Sequence, residues 1–269
     1  MSLKNILKQI ITAFSFLTKI PLNFINITEE DFKKSLKFFP LVGVFEGFIS
    51  SLLILTLIKI FPAEVLALLN LILLYLIRGI FHLDGLADTF DALNVKSTED
   101  KAKDIEKRLS VMKDSTTGVA GVWVIAVNLL CKYIFIKKII EINMFLPALV
   151  LTYTSSRWST LLASFKAKTT KTSSLGTLII KNNSFKEFLF SVFLVIFVYL
   201  LIGFLFFKIN FLIAIFLLGN LFLTSFITLT LRLYFQRKFS GITGDNLGAI
   251  IEIIEIVLLF YWGYLWQKL

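Results

Sequence analysis

Hydrophobic residues in this chain come in unbroken runs rather than in alternation. Seven runs approach the about 20 residues that a helix needs to cross a bilayer: 38–61, 63–81, 118–136, 144–165, 188–207, 210–231 and 247–266. Continuous runs favour helices over a barrel, whose strands alternate, and a bilayer forces the backbone to pair internally. The stretch 3–20 differs. Its Leu3, Ile6, Leu7, Ile10, Ile11, Phe14 and Leu17 recur at helical spacing but are interrupted by Lys4, Lys8, Gln9 and Lys19. That pattern predicts an amphipathic helix on the inner leaflet, not a cleaved leader. The expected fold is all-α: a polytopic integral membrane bundle of about seven transmembrane helices plus an N-terminal amphipathic helix, one domain over 1–269.

Composition strengthens this picture. The chain is 57% hydrophobic, with 29 Phe and only 4 Pro, and has a mean hydropathy of +0.83. Ordinary soluble domains run about 45–50% apolar, so a soluble enzyme is excluded. Charge sets the orientation. Twenty Lys and Arg lie before the first run or in the second-to-third, fourth-to-fifth and sixth-to-seventh links. Six (Lys59, Lys132, Lys137, Lys138, Lys208, Lys268) fall to the other side. The positive-inside bias then puts the N-terminus in the cytoplasm. The net charge of +10 favours anionic lipid headgroups and anionic substrates; nucleic acid is not an expected partner. Cys131 stands alone, which excludes an internal disulfide.

The candidate chemistry lies at the cytoplasmic ends of the runs. His82-Leu-Asp-Gly-Leu-Ala-Asp-Thr-Phe-Asp-Ala-Leu93 spaces Asp84, Asp88 and Asp91 by four and three. On a helix they share an arc of about 60°, where their charges repel unless a cation joins them. Carboxylates suit Mg²⁺, which bridges to substrate phosphates; the bland alternative is a solvated acidic face or a cap. His82, the only histidine, is a candidate base or a structural residue. Lys113 and Asp114 precede Ser115 to Gly118, where a helix start could face an anion or simply turn the chain. Ser240 to Gly248 offers Gly241, Thr243, Gly244 and Asp245, with Asp245 a cap or a metal ligand. Glu46, Arg78, Arg157, Glu252 and Glu255 all fall inside runs, in their cytoplasmic halves. Each is expensive when lipid-exposed, so together they predict a polar cavity open to the cytoplasm. Arg157 is read as a phosphate contact or a partner of a glutamate.

Assembled in order, these blocks resemble the cobalamin synthases, membrane enzymes also called adenosylcobinamide-GDP ribazoletransferases. The matching pieces are Phe16-Leu-Thr-Lys-Ile-Pro21, Phe39-Pro-Leu-Val-Gly43 with Gly47, and His82 to Leu93. Met112-Lys-Asp-Ser115 with Gly118 and Gly121, Ser156-Arg157, and Thr243-Gly-Asp245 with Gly241, Gly248 and Glu252 to Leu259 follow. Ala92 stands where the family often has Gly. The resemblance implies that adenosylcobinamide-GDP and α-ribazole, or its 5′-phosphate, give adenosylcobalamin, or its 5′-phosphate, plus GMP, with Mg²⁺. It further implies metal on Asp84, Asp88, Asp91 and Asp245. Lys113 and Arg157 would neutralise phosphate, with Ser115, Gly241, Thr243 and Gly244 beside the substrate, and Asp91 or His82 would be the base. The implied location is the plasma (cell inner) membrane, with the site facing the cytoplasm.

Two other classes compete. CDP-alcohol phosphotransferases also set spaced aspartates at a membrane surface, but their string carries an Arg that Asp84-Gly-Leu-Ala-Asp88 lacks. A transporter would also bury charges, yet should place them near mid-bilayer and often shows repeats; this chain shows none.

Overall fold

The computed structural model describes residues 3–20, 27–170, 174–207 and 211–268. Pro21 and Asn210, used above, lie outside them, as do Lys171 and Lys208. Among the described residues the chain is helical, with one isolated bridge between Thr169 and Ile242. α1 (Leu3–Leu17) and α2 (Glu29–Ser35) lead into α3 (Phe39–Leu57), which begins at Pro40 in its first turn. α4 (Ala63–Arg78) stops at Gly79, whose φ of 73° ends the helix; α5 (Phe81–Leu93) leaves at 93° to it. α6 (Lys101–Val111) precedes α7 (Val119–Glu141) and α8 (Phe145–Ser164). α9 (Ser174–Asn182), α10 (Phe185–Phe206), α11 (Phe211–Phe239) and α12 (Gly244–Phe260) complete the bundle, and short turns continue α12 to Lys268.

Five helical segments among the described residues are long and apolar enough to cross a membrane: Glu29–Leu57 (containing α3), α7, α10, α11, and Gly244–Leu265 (containing α12). A sixth is possible only if the bent α4–α5 pair is taken as one. This makes the chain a multi-pass membrane protein, with fewer spans by that measure than the seven expected. The predicted run 63–81 breaks at Gly79, and its far end belongs to α5, bent away from α4. The predicted run 144–165 is α8. It is 20 residues long but carries Thr152, Thr154, Ser155, Ser156, Arg157, Ser159, Thr160 and Ser164, all buried.

α8 is the axle of the fold. Lipid-facing helices such as α10 and α11 expose Phe193, Phe204, Phe211 and Phe222, whereas α8 hides its polar side chains among its neighbours. α3 lies directly on it because a Cβ at Gly43 would strike the Tyr153 carbonyl and one at Gly47 the Val150 backbone. Two small residues one turn apart bring helix backbones close enough for dispersion contacts, the force available where lipid is as apolar as leucine. α1 does not simply rest on a leaflet. Thr12, Ala13 and Leu17 are buried, and Phe16 packs on Phe32 and Phe39 with ring centroids 5.1 and 5.7 Å apart. Leu3 and Leu7 remain exposed, so one face is bundle and the other is free.

Candidate active site

Charge is organised in two places. The first is a sealed ionic core. Glu46 of α3, Arg78 of α4, Lys132 of α7, Arg157 of α8, and Glu252 and Glu255 of α12 are all fully or almost fully buried. Arg157 Nη2 donates to both Glu46 oxygens at 2.8 and 2.6 Å. Arg78 Nη1 donates to both Glu255 oxygens at 2.9 Å. Lys132 Nζ donates to Glu252 and Glu255 at 2.5 Å each. Tyr75 hydroxyl donates to Glu252 at 3.0 Å and Ser156 to Glu255 at 3.1 Å. Three cations thus face three carboxylates, and the set is neutral within itself. The polar cavity expected from these residues is instead a closed network. Arg157 sits in it against Glu46, away from the solvent-accessible residues with which it was grouped. Lys132, one of the six outer-side charges by position, lies within α7, so its removal from that count only deepens the charge asymmetry. The charges that motivated a transporter are the same sealed set.

The second place is a cavity of about 460 Å³ at the end of the bundle. His82 and Asp84 from α5, Lys113 from the turn after α6, and Thr243, Gly244 and Asp245 from the start of α12 all line it. Local physics places each of them. Thr243 caps α12: its Oγ1 accepts from Asn246 N at 3.1 Å, and Asn246 Oδ1 accepts from Thr243 N at 3.2 Å. Asn246 then donates to Thr89 of α5 at 3.2 Å. α5 and α12 cross closely, since a Cβ on Gly85 would lie 2.8 Å from the Asp245 Cα and one on Gly248 would lie 3.2 Å from the His82 Cα. Two stretches 160 residues apart therefore share one wall. Gly241 faces the Thr169–Thr170 backbone, where Ile242 N donates to Lys168 O at 2.8 Å. It braces the loop and does not line the cavity. Ser115 is exposed in the turn before α7, where Asp114 accepts from Thr116 N at 2.9 Å.

The three aspartates of α5 part company. Asp84 is exposed at the cavity and Asp88 is half-buried. Asp91 turns to α7, accepting from Gly118 N at 2.7 Å and Gly121 N at 2.8 Å. It satisfies donors that a helix start leaves free and sits where the helix dipole favours an anion. Burial first, then the Asp84, Asp245 and Asp91 carboxylates, push Asp88 up to about 7. Crowded carboxylates resist ionisation together, so a cation would relieve this group. Burial, then the Arg157 and Arg78 charges, hold His82 well below the ordinary histidine range. Its Nδ1 is buried and has no hydrogen-bond partner among the described residues. Among those residues, no three Asp, Glu, His or Cys side chains converge as a ready-made metal set.

Residues 9–263 match the family model described as cobalamin-5-phosphate synthase. The chain belongs to this family. A Thermodesulfovibrio yellowstonii protein named adenosylcobinamide-GDP ribazoletransferase is 42% identical over 94% of this chain and 95% of its own length. Proteins of that name from Clostridium tetani and Clostridioides difficile are 35% and 30% identical, covering 90% and 95% of the chain and 90% and 96% of their own lengths. No solved structure matches. Membership in the cobalamin-5-phosphate synthase family gives the cavity a chemical context that its geometry alone does not. Sequence reasoning did not assign to the site several other residues that line it, among them Phe16 and Leu17 of α1, Thr160 of α8 and Ile179 of α9. Only the motif block around Phe16 hinted at any of these.

Proposed function

We propose that this protein joins adenosylcobinamide-GDP to α-ribazole, or its 5′-phosphate, giving adenosylcobalamin, or its 5′-phosphate, and GMP. This is a late, membrane-bound step of cobalamin synthesis. The observation that carries the reading is the family match across 9–263; the meeting of Asp84, Lys113 and Asp245 at one cavity supports it. In the reaction a ribose hydroxyl oxygen of ribazole bonds to the phosphorus attached to cobinamide. The bond from that phosphorus to the bridging oxygen breaks, and GMP leaves with the electron pair. The hydroxyl proton passes to a base, for which His82, at the cavity wall, is the candidate. Lys113, exposed at the cavity, offsets negative charge on the departing phosphate.

The donor set also suits Mg²⁺. Asp84, Asp88 and Asp245 offer hard oxygen atoms and mutual repulsion that a cation relieves. Mg²⁺ commonly takes one or two carboxylates, with water and substrate phosphates filling its other positions, so a tight protein cage is not required. When bound, it would act as a Lewis acid on the phosphate oxygens. Asp91, engaged at α7, is the weakest of the expected ligands. The Lys and Arg asymmetry supports a cell inner membrane location with the cavity facing the cytoplasm. The decisive assay is protein in liposomes given both substrates and Mg²⁺ and scored for GMP. Folded protein that releases none, under conditions where a family relative does, would sink the reading.

A further inference from the structure

Another cavity lies on the flank of the bundle, a groove of about 610 Å³ between α4 and α7. Leu68, Ile72 and Leu76, one turn apart on α4, line it and are exposed, as are Ile80 beyond the helix end and Leu130 of α7. From Leu68 to Ile80 the groove runs roughly 18 Å at the helical rise, about the depth of one leaflet of the hydrocarbon core. Apart from Lys19 its lining is aliphatic or aromatic. Its tyrosines are Tyr133 and Tyr75, and the Tyr75 hydroxyl already donates to Glu252 at 3.0 Å. Lys19 closes one end. Its N–H donates to Ile77 O at 2.7 Å, and its stem crosses Gly79, where a Cβ would lie 2.7 Å from Lys19 Cε. The exposed ammonium stands 5.9 Å from the centre of the Phe81 ring and meets no carboxylate among the described residues. A lysine stem laid on apolar surface with its charge at the edge is the arrangement of a membrane–water boundary.

We propose that this groove binds one anionic phospholipid from the leaflet at the cavity end of the bundle, its phosphate on Lys19 and an acyl chain along α4. The layout of the groove repeats that of the lipid, a single charge above an apolar track one leaflet deep, and the charge is of opposite sign. Basic pockets between membrane helices hold anionic headgroups in this way. A second lysine-rich groove, between α1, α2 and α10, lacks the complementarity. There Lys8 is paired with Asp31 at 2.6 Å and Lys34 with Glu30 at 2.9 Å, and Glu187 shares the lining with Lys37 and Lys186. The lipid site abuts the catalytic cavity, since Phe81, beneath the Lys19 ammonium, lines both its own cavity wall and the approach to Lys19. The inference does not depend on the reaction proposed above.

Native mass spectrometry of the full chain in detergent tests it, with phosphatidylglycerol and phosphatidylcholine of the same chains in equal amount. The parent should retain one phosphatidylglycerol about fivefold more readily, the scale for one lysine beside anionic lipid. Lys19→Gln should bring the two lipids level. Lys96→Gln, at an exposed lysine that does not line the groove, should keep the preference. Ile72→Trp, which fills the groove from its exposed side, should lower retention of both. All three changes fall on exposed side chains, so the fold is not at stake. Equal retention by the parent, an unchanged preference in Lys19→Gln, full retention in Ile72→Trp, or a dimer that excludes both lipids would overturn the site. So would displacement of the lipid by adenosylcobinamide-GDP, which would give Lys19 to the substrate. Glycerophosphoglycerol, the headgroup without chains, should not compete; competition equal to the lipid's would leave the groove no part. No turnover is read, so a failed reaction and a failed lipid site are told apart.

Discussion

α12 carries carboxylates into two surroundings, and the contrast separates structure from chemistry in this bundle. Glu252 and Glu255 meet Arg78, Lys132 and Arg157 at hydrogen-bonding distance or close to it in a fully buried network. Asp245, two turns earlier, shares a cavity wall with Asp84, and both carboxylates act on the half-buried Asp88 beside them. In the core, charge balance is complete and local, which is how a membrane interior tolerates ions. At the cavity the balance is missing, with Lys113 exposed nearby. Buried charge in a membrane helix is therefore not by itself a mark of function here. The residues left with charge to share are the better guide.

The sharpest way to break this distinction is to unbalance the core. Glu255→Gln leaves three cations against two carboxylates, and removing one partner of a buried ionic set costs about 3–5 kcal/mol. That is a large share of a typical total stability of about 5–15 kcal/mol. The expected outcome is little monodisperse protein after detergent extraction and a much lower thermal midpoint. Combining Glu255→Gln with Lys132→Met restores neutrality and should recover part of the yield. If Glu255→Gln folded as well as the parent and lost only turnover, the core would belong to the chemistry.

Changes at the cavity should have the opposite signature. Asp84→Asn or Asp88→Asn is expected to lower kcat by about 10²–10³, the scale for removing one element of electrostatic catalysis. The thermal midpoint should hold or rise, because each change removes one of several repelling carboxylates. Parallel measurements of GMP release and thermal unfolding decide this. Full turnover in both variants would remove the acidic wall from the mechanism. A falling midpoint would make it structural, like the core.

Hydropathy revealed the helices but not their partners. The runs at 118–136, 188–207 and 210–231 correspond to α7, α10 and α11 because apolarity and length suffice for lipid-facing helices. α8 was found as a run, yet its role as the central helix was not legible: Ser156 and Arg157 are polar because their partners, Glu46 and Glu255, lie about 100 residues away. Lys132 failed for the same reason, since nothing near it in sequence announces Glu252. α6 and α9 fall within links between the hydrophobic runs, being short and polar or mixed. The cavity was half legible. His82, Asp84 and Asp245 were visible through local spacing and helix-start signals, whereas Thr160 and Ile179 reach it only because α8 and α9 pack there.

Asp91 is the residue that the two surroundings contest. By spacing it belongs with Asp84 and Asp88; by contact it belongs to α7, holding Gly118 N and Gly121 N. A carboxylate capping a helix start is worth about 1 kcal/mol, up to about 2. Asp91→Ala should therefore lower stability by that amount and turnover only a few-fold, through a loosened α5–α7 contact. Asp91→Asn keeps an acceptor but loses the charge, so it should fall between Ala and the parent in unfolding experiments. A catalytic or metal-ligating Asp91 predicts the reverse, with turnover collapsing by orders of magnitude in both variants while the thermal midpoint scarcely changes. The ratio of lost turnover to lost stability thus assigns Asp91 to one surrounding or the other, and the hydrogen bonds to α7 favour the structural side.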